Sequence, residues 1–162
     1  MILMPPVNNI TRLLDSKKIT YQAFELPVEK LGADETAQWL DIDLELIYKT
    51  IVVKRPIGKP ILAVIPGSHR VDLKLLAVEV GEKKVSLPTE KEAEELTGLQ
   101  AGGISPLALV NKGFQVLIAS QACDLPQIHV GGGERGLIIR LPPIELAEIT
   151  HARFSTISQL RT

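Results

Sequence analysis

The sequence predicts an α+β fold: a mixed, mostly antiparallel and partly barrel-like sheet surrounded by helices. Two observations predict it. Candidate strands and helices are interspersed along the chain, which excludes an all-α or all-β arrangement. Several candidate strand pairs are joined by short connections, which force antiparallel pairing. The length of 162 residues adds a third constraint, since it favours one domain with a core of its own. No internal repeat, low-complexity tract or dividing linker interrupts the chain, so residues 1–162 are expected to form a single domain.

The elements follow in order. Asn8 or Asn9 caps a short helix through Leu14, with Ile10, Leu13 and Leu14 on one face. Ile19 to Leu26 reads as a strand, its alternation blurring at Phe24. Ala33 to Leu40 reads as a helix carrying Trp39 and Leu40. Ile47 to Lys54 is strongly β-branched and reads as a strand, and Ile61 to Ile65 as another, stopped by Pro66-Gly67. Asp72 caps a helix to Val80, with Gly81 placed to end it. Lys84 to Leu87 is expected to add a short strand. Thr89-Glu-Lys-Glu92 is a capping box for a helix that ends at Gly98. Gly102-Gly-Ile-Ser-Pro106 cannot be helical and reads as a shaped loop. Phe114 to Ala119 is a strand. Gln127 to Val130 and Leu137 to Leu141 form a hairpin around Gly131-Gly-Gly-Glu-Arg-Gly136. Pro142-Pro143 stops it, Ile144 to Ile149 is a last helix, and a small terminal helix is expected after Ser155.

Composition excludes several functions. Eighteen basic residues face nineteen acidic ones, so no overall field attracts a polyanion. A nucleic-acid partner must be held by a local patch. A single cysteine, Cys123, rules out an internal disulfide and fits a reducing cytoplasm. The start, Met1 to Pro6, is too short and too soon broken by proline for a signal peptide. No apolar run reaches the roughly 18 residues a membrane span needs. A cytoplasmic protein with no membrane partner is expected.

The usual catalytic signatures are missing. There is no H-E-x-x-H, no Cys-x-x-Cys and no Walker A sequence. His69, His129 and His151 lack ligand spacing, so no metal and no cofactor are expected. Cys123 has no histidine near it in sequence and reads as a bystander thiol. Residues 131–136 match G-x-G-x-x-G, but a strand follows where a dinucleotide site needs a helix. That stretch reads as a hairpin turn, or as amides that approach an anion beside Arg135.

Lys49 stands out. Strand alternation puts it on one face with Ile47, Ile51 and Val53. A lysine there reaches past the edge to water, pairs with a carboxylate, or points into a pocket where it can hold a phosphate or oxyanion. The Gly102–Pro106 loop is either an ordinary turn or a set of backbone amides free to hold an ester oxygen. Lys54, Arg55, Lys59, Arg70, Lys74, Lys83 and Lys84 cluster mid-chain. They form a solvated surface, or in part a patch for a nucleic-acid backbone.

The ordered set is more specific than any one motif. Ile47-Tyr-Lys49-Thr-Ile-Val-Val53, Val71-Asp-Leu-Lys74, Gly81-x-Lys83-Lys84-Val85, Thr97-Gly98, Gly102-Gly-Ile-Ser-Pro-Leu107 and Gly132-Gly-Glu-Arg-Gly-Leu137 occur in this order. Together they resemble the YbaK-type family of aminoacyl-tRNA editing domains, similar to the editing domain inserted in bacterial prolyl-tRNA synthetases. The resemblance covers nearly the whole chain.

It implies that family's mixed, mostly antiparallel sheet wrapped by helices. It also implies hydrolysis of the ester joining a wrong amino acid to the terminal adenosine of tRNA, as in clearing cysteine from tRNA for proline. Lys49 stands at the family's lysine for the acceptor end. Gly102, Gly103 and Pro106 belong to its G-x-x-x-P loop, with Ile104 and Ser105 between them facing substrate. Gly132, Gly133, Arg135 and Gly136 match the turn bordering the pocket. Misacylated tRNA is then the partner, with an aminoacyl-tRNA synthetase as a second. Metal and cofactor are not required, because positioning and backbone amides suffice for a reactive ester.

Four positions depart from the cysteine-clearing pattern: Leu26, Leu99, Ala108 and Ile138. If they line the side-chain pocket, it is more apolar and suits a small aliphatic amino acid. The alternative to an enzyme is a module that binds an acceptor end or a synthetase without turnover.

Overall fold

The computed structural model describes residues 8–161; the Met1–Pro6 start lies outside them. Helix boundaries follow the caps. In α1 (Asn9–Ser16), the Asn8 side chain accepts from the Thr11 amide at 2.9 Å, and Thr11 Oγ1 accepts from the Asn8 amide at 2.9 Å. Such a reciprocal cap stabilises by about 1 kcal/mol. α2 is Ala33–Leu40. α3 (Leu73–Val80) starts where Asp72 accepts from the Leu75 amide at 3.1 Å and ends at Gly81. α4 (Glu90–Thr97) has the predicted capping box at Thr89 and Glu92. α5 is Pro143–Thr150.

Among the described residues three sheets carry the strands. β1 (Gln22–Glu25), β7 (Leu137–Leu141) and β6 (Ile128–Gly131) pair antiparallel, with β7 central. The second sheet runs β2 (Tyr48–Val53), β3 (Ile61–Pro66), β5 (Gln115–Ala119), β8 (Arg153–Ser155). Its β2–β3 pair is a hairpin, whereas β3–β5 and β5–β8 are parallel. Each parallel step spans a long crossover carrying helices, as parallel pairing requires. The third sheet is a short antiparallel pair, β4 (His69–Val71) with β9 (Ser158–Leu160). The sheets stay open. Among the described residues a single parallel bridge, Ile47 to His129, links the first to the second.

The core lies on the second sheet. β3 is buried along its whole length, as a central strand in a mixed sheet should be. Leu62, Ile65, Leu117 and Ile118 are fully enclosed. Each such side chain stabilises by roughly 1.5–3 kcal/mol over an exposed one. The same cluster takes in Ile10 and Leu14 of α1, Ile139 of β7 and Leu146 of α5.

Two expected elements differ. Lys84 to Leu87 is no strand: only Ser86 pairs, through one bridge to Lys54, and Leu87 stays exposed. The expected terminal helix after Ser155 is strand β9. Ile157 is buried and its carbonyl accepts from the Asp72 amide at 2.8 Å, which draws residues 158–160 along the open edge of β4. β4 and β8 were not anticipated, since three residues are too few to display alternation.

Candidate active site

β2 sets the site. Lys49 sits opposite Ile65 in the β2–β3 register, half-buried. Its Nζ donates to the Gly67 carbonyl oxygen at 3.2 Å. Among the described residues it has no carboxylate within ion-pair range. Burial holds its pKa below the usual lysine range, the nearby Arg161 pushes the same way, and Asp34 opposes both. Arg161 and Asp34 are themselves paired at 3.0 Å.

Lys49 lies at the seam of two cavities. The first, of about 420 Å³, is lined by β2, by Ala101, Gly102 and Ile104, and by His129, Gly131 and Ile138 of the first sheet. The second, of about 580 Å³, is lined by Arg70, Asp72, Lys74 and Gln159. Lys49, Ile51 and Leu87 line both. Of the three sequence readings of Lys49, the structure therefore shows a pocket lysine.

The Gly102–Pro106 loop is held from behind. Gly103 presses on the hairpin turn so closely that a Cβ would stand 2.8 Å from Glu134 Cα. Arg135 Nε donates to the Ala101 carbonyl oxygen at 2.7 Å. Ser105 is fully buried, and its Oγ accepts from the Leu107 amide at 3.1 Å. Pro106 then starts a 3-10 turn over Pro106–Leu109, where its missing amide costs nothing. Ser105 and Pro106 thus fix the loop's path, while Gly102 and Ile104 face the first cavity. Among the described residues the amides of Gly102, Ile104 and Ser105 donate to no protein group.

The 131–136 turn is the predicted hairpin. Gly136 has φ +85°, and a Cβ there would lie 2.8 Å from the Leu26 carbonyl oxygen. The Gly132 amide donates to Leu137 at 2.8 Å, and Gly133 packs against Ile10. Arg135 supports the loop from behind, Gly132 and Gly136 pack on Leu137 and the Leu26 carbonyl, and only Gly131 of this turn borders the cavity.

Of the four departures, only Ile138 lines the cavity. Leu99 and Ala108 pack on the core, and the Leu26 amide donates to Gly136 at 2.7 Å. The expected shift to an apolar pocket is therefore smaller than the sequence suggested.

The basic cluster disperses. Lys54 pairs with Glu92 at 2.8 Å, Arg55 with Glu82 at 3.3 Å, and Lys59 covers the Phe114 ring. Lys83 and Lys84 are exposed and line neither cavity. Only Arg70 and Lys74 meet beside Lys49.

Sequence reasoning missed two cavity residues. His129 is buried, with Nδ1 3.1 Å from the Leu46 carbonyl oxygen and Nε2 without a partner. Burial lowers its pKa. Thr50 Oγ1 is likewise buried and unpartnered. Alternation in β6 could have flagged His129, because Ile128 and Val130 take the core face and leave it the other.

Among the described residues no group of three His, Cys, Asp or Glu side chains could hold a metal ion. Cys123 is exposed and free. No helix among them is long and apolar enough to cross a membrane.

Comparison with known proteins agrees with this geometry. The family model for the aminoacyl-tRNA editing domain matches residues 29–149. A provisionally named Cys-tRNA(Pro)/Cys-tRNA(Cys) deacylase, EbsC of Enterococcus faecalis, is 34% identical over 152 residues, covering 93% of this chain and 92% of that protein. The proline–tRNA ligase of Staphylococcus saprophyticus is 30% identical over 135 residues, which cover 76% of this chain but 23% of the ligase. Among solved structures, hypothetical protein APE2540 aligns with a TM-score of 0.85 at 24% identity, over 94% of this chain and all of that one. A provisionally assigned trans-editing enzyme for prolyl tRNA synthetase gives 0.78 at 24% identity, over 95% and 99%. At that identity the structural likeness establishes the fold alone. With a family model spanning most of the chain and a full-length relative above 30% identity, this chain belongs to the YbaK-type aminoacyl-tRNA editing domain family.

Proposed function

We propose that the protein is a trans-editing hydrolase that deacylates misacylated tRNA in the cytoplasm, with residues 1–162 acting as one editing domain. The observation that carries this reading is the position of Lys49 between two cavities of different character. One has backbone amides and apolar walls, suited to an aminoacyl group. The other has Arg70 and Lys74, suited to a phosphodiester backbone.

The ester carbonyl lies against the Gly102–Pro106 loop. Its carbon is attacked by water, and the negative charge that develops on oxygen is met by the unengaged amides of Gly102 and Ile104. The bond to the ribose oxygen then breaks, releasing the amino acid and leaving tRNA with its hydroxyl restored. A neighbouring ribose hydroxyl can relay the proton, so no catalytic side chain is required. Lys49, partly dehydrated and bonded to a single carbonyl, supplies the ammonium that holds the acceptor end. Gly103 and Arg135 position the loop. Because the ester is already reactive, positioning supplies much of the acceleration.

A synthetase is proposed as the source of tRNA selection, a reading that the likeness to a proline–tRNA ligase supports. The test is deacylation of charged tRNA by the wild-type protein and by Lys49→Ala. Loss of one misacylated ester, abolished by the substitution, supports the enzyme. Binding without turnover supports the module reading instead.

A further inference from the structure

Two residues that line the first cavity, His129 and Thr50, each carry a buried polar atom, Nε2 and Oγ1, without a hydrogen-bond partner among the described residues. Three other polar side chains that line it are engaged. Thr36 donates to the Gly32 carbonyl at 2.9 Å, Thr89 accepts from the Glu92 amide at 3.1 Å, and Glu90 pairs with Lys30. Buried polar atoms almost always find a partner, so an exception asks what does.

The ring's protonation follows from its neighbours. Nδ1 faces the Leu46 carbonyl oxygen at 3.1 Å, and a carbonyl only accepts, so Nδ1 carries the hydrogen. His129 is only 4% exposed, which favours the neutral ring. Nε2 is then an acceptor without a donor. It shares the non-core face of the first sheet with Phe24, Ile138 and Arg140, as the register requires. Its ring lies 6.0 Å from that of Phe24, so apolar surface surrounds it on one side.

We propose that His129 Nε2 accepts a hydrogen bond from a donor on the aminoacyl group of the substrate. The donor is the α-ammonium or a side-chain hydroxyl or thiol, and His129 is a specificity residue. The inference rests on the editing reading above.

The test uses two isosteric variants. His129→Asn keeps an amide N–H where Nδ1 bonds Leu46 but removes the Nε2 acceptor. His129→Gln reaches the Nε2 position with an amide oxygen. Deacylation of tRNA charged with cysteine, serine or alanine is compared among them. His129→Asn is expected to lower kcat/KM about tenfold, the scale of one hydrogen bond lost at an unchanged fold, and His129→Gln to recover most of it. Equal losses on all three esters assign the donor to the α-ammonium. Losses confined to cysteinyl and seryl esters assign it to the side chain. Unchanged kcat/KM in a folded His129→Asn protein overturns the proposal.

A second measurement stands apart from turnover. The ring nitrogen resonances of His129 in the wild-type protein are followed during titration with a non-hydrolysable aminoacyl-adenosine amide. The proposal expects Nε2 to shift with this probe and not with the adenosine lacking its acyl group. No shift on saturation overturns it. If the wild-type protein hydrolyses none of the esters, the editing reading fails, and this titration still decides the acceptor assignment.

Discussion

Arg135 Nε donates to the Ala101 carbonyl oxygen at 2.7 Å, so one hydrogen bond joins the β6–β7 turn to the loop that lines the first cavity. The turn and the loop are about 30 residues apart in sequence, and each lacks regular structure. Their mutual support is what gives the loop amides a fixed position. Arg135→Met keeps most of the side-chain stem and removes the donor. It is expected to cost about 1.5–3 kcal/mol of loop positioning, read as at least a tenfold fall in kcat with KM nearly unchanged. A change in KM alone would assign Arg135 to substrate contact.

Gly103→Ala tests the same contact from the other side. The new Cβ would stand 2.8 Å from Glu134 Cα and 2.9 Å from its carbonyl carbon. Backbone cannot yield as a flexible side chain can. The expected loss is about 1–3 kcal/mol, or a Tm lowered by roughly 2–4 °C per kcal/mol, with activity falling in step. Thermal denaturation monitored by circular dichroism checks it.

Lys49 gives a pH dependence with a definite sign. Burial and Arg161 both disfavour its charged form, so it loses its proton at a lower pH than an ordinary lysine. The anion-holding ammonium is present at neutral pH and lost as pH rises. Affinity for a non-hydrolysable acceptor-end analogue should therefore decline on the alkaline side earlier than a free lysine would dictate. Lys49→Arg, which stays charged, should move that decline upward. Stability runs the other way. The unfolded chain binds this proton more tightly, so stability increases with pH between the folded and unfolded values.

Arg70 and Lys74 are the two members of the basic cluster placed beside Lys49. Arg70→Gln and Lys74→Gln are each expected to raise KM severalfold while leaving kcat nearly unchanged. Each should also reduce the slope of log affinity against log salt by about 0.7, the value per phosphate on a single strand. Lys83→Gln, at a residue that lines neither cavity, is the control. Equal effects at all three positions would mean a diffuse field and no groove.

Local chemistry made much of this fold readable. The caps at Asn8, Asp72 and Thr89 fixed three helix starts, and the glycines at 81 and 98 fixed two ends. The β-branched run at Ile47 to Lys54 gave β2 and the face of Lys49. Three-residue strands such as β4 and β8 were not readable, because their pairing is decided by distant partners. The terminal segment became β9 for the same reason: buried Ile157 anchors it to an edge that only the folded chain offers. In the site, the motifs located the loop and the turn but not their division of labour. Ser105 reads as a substrate position in sequence and Pro106 as a member of the catalytic loop, yet both side chains are buried supports. His129 reads in sequence only as a histidine without ligand spacing, because only the tertiary fold shows that one ring nitrogen is bonded and the other is not.

The most direct measurement is a deacylation panel. Purified protein is incubated with tRNA for proline charged with cysteine, alanine, serine or proline, each repeated with Lys49→Ala. The account predicts loss of at least one mismatched ester, sparing of the prolyl ester, and a fall of roughly a hundredfold or more in the variant. Equal hydrolysis by wild type and Lys49→Ala would contradict the role of Lys49. No hydrolysis of any ester, with acceptor-end binding retained, would contradict the enzyme itself.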